Sequence, residues 1–210
     1  LYIMFIGHYA LALASKKNNK APSLAMLFIA VQFLDLLWPI FVLLGLESFQ
    51  IEVGNTKLIP LSFTHYPYSH SLLMTLFWGM LLGLIYYLVT KHKKASLLLF
   101  ALVCSHWVLD LITHRTDLPL TPFGDFKMGL GLWNYPILET IIEVGLYITG
   151  VILYYKFGNP KRNIMFWSLV SVLLIIHVMN ILGPPPPSTM VVASLVITMR
   201  RALPRSSIFT

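Results

Sequence analysis

Residues 104–115, CSHWVLDLITHR, contain three ionisable residues at intervals of four in an otherwise apolar stretch. Residues four apart lie on one face of an α-helix, about 6 Å apart along its axis, so His106, Asp110 and His114 are expected to form one polar stripe. Imidazole and carboxylate groups are ligands of zinc and similar divalent ions. The spacing therefore predicts a metal-binding helix face. The alternative is a hydrogen-bonded His106–Asp110 pair that only joins helices.

Further ionisable residues lie within or beside other apolar stretches. Glu139 and Glu143 also have the i, i+4 spacing and can face the same pocket, where either could act as a general base. Alternatively, both acids face water in the first turns of a helix, where the helix dipole favours negative charge. The segment HYPYSHS adds His65 and His70 directly before an apolar stretch, and Asp35 lies deep within another.

The elements that must position these residues are membrane-spanning helices. Of the 210 residues, 57% are hydrophobic and 11% are charged, whereas about a quarter of the residues in soluble domains are charged. A spanning helix needs about 20 predominantly apolar residues. Five stretches meet this requirement and predict an all-α, polytopic transmembrane bundle: residues 23–46, 71–90, 95–113, 135–155 and 164–182.

Two other apolar segments are too short to cross a bilayer alone. The first fourteen residues predict a short N-terminal helix that is tilted, re-entrant or half-buried in the membrane. Residues 189–199 follow a GPPPPS segment and are interpreted as a truncated sixth helix, followed by a basic tail. Residues 1–188 are thus predicted to form one transmembrane domain, with residues 189–210 as a short apolar segment and tail.

Basic residues predict the orientation of the helices. The net charge of +7 arises from lysines and arginines grouped in alternate loops, and such loops favour the cytoplasmic side. The groups are Lys16, Lys17 and Lys20; Lys91, Lys93 and Lys94; Lys156, Lys161 and Arg162; and Arg200, Arg201 and Arg205. This arrangement places the intramembrane ionisable residues at mid-depth or in the outer half of the membrane. It predicts membrane lipid, and no nucleic acid, as a partner, and leaves the oligomeric state open.

The motifs resemble those of the membrane-bound metal-dependent hydrolases, also described as LexA-binding, inner membrane-associated hydrolases. The similarity extends over residues 6–125 and includes GHYALAL, HYPYSHSLL and SHWVLDLITH. It implies one or two divalent metal ions, with zinc as the first candidate, in a bacterial inner membrane protein. The matching positions imply the following metal ligands: His8, Asp35, His65, His70, His106 and Asp110.

Together these observations predict a membrane-embedded metal-dependent hydrolase. A bound metal lowers the pKa of water to about 7, Glu143 or Glu139 serves as the general base, and a lipid or phosphoester substrate enters from the outer leaflet. A transporter of ions, protons or metal is a second hypothesis, because buried histidines and carboxylates also form ion paths. The third is a non-catalytic membrane scaffold whose polar residues only join helices.

Overall fold

The computed structural model of the chain describes residues 6–16, 22–158 and 164–184. These residues are mostly helical, with two small antiparallel sheets, β1–β2 and β3–β4. The helices are α1 Ile6–Ser15, α2 Leu24–Val31, α3 Phe33–Leu43, α4 Pro67–His70, α5 Leu72–Thr90, α6 Lys93–Thr113, α7 Pro136–Phe157 and α8 Ile164–Leu182. The strands are β1 Ser48–Ile51, β2 Leu61–His65, β3 Leu118–Pro119 and β4 Lys127–Met128, and a 3₁₀ turn covers Leu132–Asn134.

Helices α5, α6, α7 and α8 are each long and apolar enough to cross a membrane. Helices α2 and α3 meet the same criteria together and bend by 55° at the break between them, which makes five spans if the bent pair is one. The predicted all-α bundle of about five spans is therefore confirmed. The break at Gln32 was not predicted from the sequence, and the expected C-terminal apolar segment, residues 189–210, lies outside the described residues.

Capping groups determine where the spanning helices begin. Ser23 caps α2, Ser71 caps α5 and His92 caps α6, each by accepting a hydrogen bond from a backbone N–H in the first turn. Helix α7 begins with Pro136, which has no backbone N–H and therefore needs no hydrogen-bond acceptor at this position. The first backbone N–H groups of a helix have no carbonyl partner within the helix. The capping side chains accept hydrogen bonds from some of them, and the proline removes one, so each helix has a defined start.

Glycines permit close contact between two pairs of helices. A Cβ on Gly83 in α5 would lie 3.0 Å from the carbonyl oxygen of Ser96 in α6. A Cβ on Gly150 in α7 would lie 2.5 Å from the carbonyl oxygen of Ala10 in α1. Membrane helices associate largely through such close packing at small residues. Gly150 therefore allows the short helix α1 to lie directly against α7.

The two ends of the bundle differ in composition. We call the end near the α5–α6 loop the apolar end, because a hydrophobic core lies there, formed by Ala12, Met26, Leu27, Ala30, Val31, Leu34, Leu82, Tyr86, Ala95, Leu99, Leu102 and Val103. We call the opposite end the strand end, because the segments that join α3 to α4 and α6 to α7 form the two sheets there. Trp38, Tyr66 and Trp107 belong to a separate core beneath these sheets.

Candidate metal centre

Five of the six predicted metal ligands lie together where α1, α3, α4 and α6 meet. The Nε2 atom of His106 lies 3.3 Å from Asp110 Oδ2 and 3.7 Å from Asp35 Oδ1. The Nε2 atom of His70 lies 3.4 Å from Asp35 Oδ1 and 3.8 Å from Asp110 Oδ2. His8 approaches from α1, with Nε2 3.5 Å from Asp110 Oδ1. We call these five residues the His/Asp cluster.

The His/Asp cluster has the composition and spacing of a single metal site. The cluster contains two sets of three potential ligand atoms, and within each set all three atoms lie within 4.8 Å of one another. One set comes from His8, His106 and Asp110, and the other from Asp35, His70 and His106. His106 belongs to both sets, and its Nε2 atom has one lone pair, so it could serve only one ion at a time. The nitrogen and oxygen atoms of the cluster match the ligand preference of zinc and related divalent ions.

The break between α2 and α3 orients His106. The helical hydrogen-bond pattern is interrupted at Gln32, and the carbonyl oxygen of Val31 lies 2.6 Å from His106 Nδ1. A carbonyl can only accept, so Nδ1 of His106 donates the proton. The proton on Nδ1 leaves the Nε2 lone pair directed at Asp35 and Asp110. A histidine ligand commonly donates its second ring N–H in this way, which fixes both the tautomer and the ring orientation.

A second chain of hydrogen bonds orients His70. Ser69 Oγ lies 2.7 Å from His70 Nδ1 and donates to Glu47 Oε2 at 2.7 Å. The other carboxylate oxygen of Glu47 accepts from the backbone N–H groups of Tyr68 and Ser69, both at 2.8 Å. Since the Ser69 proton points to Glu47, Ser69 Oγ accepts from His70 Nδ1. The Nε2 atom of His70 is thereby left to act as a ligand.

Glu47 was not identified from the sequence. It is buried between the end of α3 and the start of α4. Burial raises the pKa of the Glu47 carboxyl, and the hydrogen bonds from Ser69 and Tyr68 oppose that rise. Two features of the sequence could have indicated that Glu47 supports His70. An acid directly follows the first apolar stretch, and a serine lies beside the second histidine of HYPYSHS.

Glu143 positions the helix that bears His8. Its Oε1 atom accepts a hydrogen bond from the backbone N–H of Gly7 at 3.3 Å, in the first turn of α1. Its Oε2 atom lies 3.3 Å from His177 Nδ1. A carboxylate is favourable at a helix N-terminus, where backbone N–H groups lack helical partners. Because Gly7 precedes His8 directly, this bond fixes where the His8 ring enters the cluster.

A small cavity connects the His/Asp cluster with α7 and α8. Its volume is about 70 Å³, which is space for a few water molecules. Polar residues of α7 and α8 line it, namely Glu139, Glu143, His177 and Asn180. Aromatic residues complete the wall toward the strand end, namely Trp38, Phe63, Tyr66 and Trp133. The predicted grouping of Glu139 and Glu143 with the histidines around one pocket is thus present.

The profile of the YdjM inner membrane protein family matches residues 4–183. The chain belongs to this family. The match includes the whole His/Asp cluster and, together with the apolar helices, identifies an integral membrane protein. Comparisons with curated proteins and with solved structures gave no match. The description of the YdjM family names a membrane and no reaction, so metal-dependent hydrolysis and LexA binding do not follow from membership.

His65 lies apart from the cluster in this YdjM-family protein. It is the last residue of β2, pairs with Ser48 of β1, and is exposed. Its ring centre lies 6.0 Å from that of Tyr68. Successive residues of an extended segment point to opposite faces, and the next residue, Tyr66, is the one that turns inward to the cavity. His65 is therefore in neither set of ligand atoms.

His114, the third member of the predicted stripe, directly follows the last residue of α6. Its Nδ1 atom lies 3.0 Å from Asp117 Oδ1, and the hydroxyl of Tyr66 donates to the same oxygen at 3.2 Å. Burial opposes ionisation of Asp117, but hydrogen bonds from His114 and Arg115 outweigh it and hold the pKa of Asp117 below its ordinary value. His114 thus supports the cavity wall beside the cluster.

Proposed function

We propose that this YdjM-family protein is a membrane-embedded metal-dependent hydrolase. The observation that supports this most directly is the orientation of His70 and His106. Both rings are held at Nδ1 by a hydrogen bond, and both Nε2 atoms are directed at Asp35 and Asp110. Histidine ligands of metals commonly donate a hydrogen bond from the second ring nitrogen to a nearby acceptor. Histidines that only join helices do not need this hydrogen bond on both rings.

A divalent ion, with zinc as the first candidate, supplies Lewis acidity toward water and the scissile bond. The described residues divide the remaining tasks. Glu143 is engaged with Gly7 and His177 and acts as a positioning residue. Glu139 is buried in the cavity wall, and none of the described residues bonds its Oε2 atom. Glu139 is therefore our candidate for the general base that accepts a proton from water.

The proposed substrate is a lipid or a lipid-like phosphoester. The cavity of about 70 Å³ holds water but not a whole lipid, so only the reacting group enters while the rest lies among the helices. Aromatic residues such as Trp38 and Trp133 line the approach. We place the basic loops in the cytoplasm of a bacterial cell and the His/Asp cluster in the outer half of the inner membrane, following the distribution of lysines and arginines.

The apolar end supports hydrolysis over transport. An ion path should continue from the cluster toward the α5–α6 loop. In the part of the chain that the structure describes, the buried side chains in that direction are mainly apolar, including Leu27, Leu99 and Val103, and none is a histidine or a charged residue. A polar chamber closed at one end is suited to a reaction, since substrate and product can use the same opening.

Metal analysis of detergent-purified protein tests the proposal. The wild type should contain a stoichiometric transition metal, and His106→Ala and Asp110→Ala should bind one ion fewer per chain while remaining folded and monodisperse. His65→Ala is the matched control, because this histidine lies outside the cluster, and it should retain the metal. A wild type that binds no metal even after reconstitution with zinc or manganese overturns the proposal. Stoichiometric binding would be followed by hydrolysis assays with lipid phosphoesters.

A further inference from the structure

We infer that α7 and α8 form a second divalent-cation site, with Glu139, His177 and Asn180 as its ligands. This inference extends the proposed metal-dependent function to a second ion and changes one role in it: Glu139 binds that ion and serves as a general base only when the second site is empty. Its test separates the two proposals. The three residues lie on neighbouring helices and line the cavity that also borders His8 and Asp110. None of the three belongs to the His/Asp cluster.

The first argument is the burial of polar atoms without partners. Glu139, His177 and Asn180 have exposed fractions of 1%, 4% and 9%. Among residues 6–16, 22–158 and 164–184, no group forms a hydrogen bond with Glu139 Oε2, His177 Nε2 or Asn180 Oδ1. Buried polar atoms are nearly always paired, because leaving one without a partner is costly. Three such atoms around one cavity indicate that a ligand supplies the missing interaction.

The second argument is that all three atoms are acceptors. His177 Nδ1 lies 3.3 Å from Glu143 Oε2, which favours the tautomer with the proton on Nδ1 and leaves a lone pair on Nε2. The side-chain oxygens of Glu139 and Asn180 also offer lone pairs. With His177 in this tautomer, the three atoms together favour a cation or a hydrogen-bond donor as the ligand.

Charge and helix spacing favour a divalent cation. Glu139 and Glu143 lie one turn apart on α7, so two ionised carboxylates there repel each other in a low-dielectric interior. A dication offsets this repulsion directly. His177 and Asn180 are three residues apart on α8 and share a helix face. Together with Glu139 they present one nitrogen and two oxygen ligands, a set suited to manganese or zinc.

Glu143 links the second site to the first. It holds the Nδ1 side of His177 with one carboxylate oxygen and the N-terminus of α1 with the other. A carboxylate behind a histidine ligand is a common outer support of metal sites. The same side chain thus positions His177 for the second site and, through Gly7, His8 for the first. Since both sites border one small cavity, a single substrate group can reach both.

The experiment is a count of metal ions bound per chain. Full-length protein in detergent is stripped with a chelator, reconstituted with Zn²⁺ or with Mn²⁺, and analysed for metal and protein. We expect two ions in the wild type, one in the double variant His177→Ala/Asn180→Ala, and one in His106→Ala. Met179→Ala is the matched control, because this α8 residue is 65% exposed, and it should bind two ions. Asn180→Asp replaces an amide oxygen by a carboxylate and should bind the second ion more tightly.

Each outcome distinguishes the second site from the proposed hydrolase centre. The second site is overturned, and the first is left intact, if the wild type binds one ion, His106→Ala binds none, and the α8 double variant still binds one. A second ion that persists in the double variant also overturns it, because that ion is then bound elsewhere. No ion in the wild type overturns both proposals. If the double variant does not fold, the affinity of Asn180→Asp decides, and an affinity no higher than that of the wild type overturns the second site.

Discussion

The apolar end and the strand end are built from the same helices but are held together by different interactions. Helix α6 shows the contrast: Leu99 and Val103 are fully buried in an apolar core, while His106 and Asp110, one to two turns further on, belong to the His/Asp cluster. Packing stabilises the first region, whereas hydrogen bonds and, on our proposal, a metal stabilise the second. We therefore expect that stability and metal binding can be altered separately along one helix.

The largest expected effect is at the apolar end. Leu99→Ala should destabilise the protein by about 2–5 kcal/mol, because it leaves a cavity in a closely packed core. It should leave the metal content per folded chain unchanged, since Leu99 lies outside the cluster. Reversible unfolding in mixed micelles and metal analysis measure the two quantities. Loss of metal from folded Leu99→Ala would show that the two ends are not separable.

Gly150→Ala should affect both regions, because α1 contributes to the apolar core and to the cluster. A Cβ there would meet the backbone of Ala10, so we expect a loss of about 1–3 kcal/mol from overpacking, with weaker metal binding as His8 shifts. Gly145→Ala is the matched control on the same helix, since no heavy atom lies within 4 Å of its Cβ position.

The control should be neutral or stabilising by up to about 1 kcal/mol, because alanine favours a helix over glycine. Unfolding of both variants under identical detergent conditions gives the comparison. Equal stabilities for the two variants would show that the close approach of α1 to α7 is not needed for folding.

Glu47→Gln should affect metal binding at the strand end and spare the apolar end. The amide keeps the size of the side chain but cannot accept hydrogen bonds at both positions, so the support of His70 through Ser69 is weakened. Loss of such an outer support typically lowers metal affinity by about 10–100-fold. Zinc titration against a competing chelator measures the change. Glu52→Gln, at an exposed acid in the same segment, should retain wild-type affinity, and an equal loss there would contradict the role of Glu47.

The smallest effect concerns Asp117, which joins the strand end to the cavity wall. Its pKa is lower in the folded protein than its ordinary value of about 4, so its ionised form stabilises the fold above that pH. This contribution is lost as the pH falls through the folded pKa. Asp117→Asn should cost about 1 kcal/mol at pH 7, since its partner Arg115 is partly exposed. Unfolding measured from pH 7 to 3 should show the wild type and the variant converging, and a constant difference would contradict the assignment.

Composition and spacing were sufficient to predict the helical bundle and two of the five cluster residues. Apolar stretches of spanning length predicted the helices, and the i, i+4 spacing correctly placed His106 and Asp110 on one face. Residues from separate segments, such as Asp35 and His70, were brought into the set by resemblance to a family and not by spacing. In the structure His70 lies near Asp35 and Asp110, and Asp35 lies near His106.

Other features could not be predicted, because they depend on contacts distant in sequence. Glu47 and Ser69 lie 22 residues apart, and the pairing of β1 with β2 between α3 and α4 brings them together. The direction of His65 depends on the pairing of β1 with β2, which residue types alone do not specify. The break at Gln32 has no proline or glycine at its centre, so residue types do not indicate it. In the folded protein the carbonyl of Val31, just before the break, accepts a hydrogen bond from the His106 ring.

The hydrogen bond from Gly7 to Glu143 has a consequence for the order in which the protein is assembled. Its two residues are separated by 136 positions, so the bond cannot form until most of the chain has been synthesised. His8 is the first ligand of the cluster to leave the ribosome and the last to be fixed in place. A nascent chain that ends before α7 already contains every proposed ligand of the cluster, yet its N-terminal helix still lacks the carboxylate that binds its first turn. On the proposal of a metal centre, His8 would therefore be the last ligand to reach its final position.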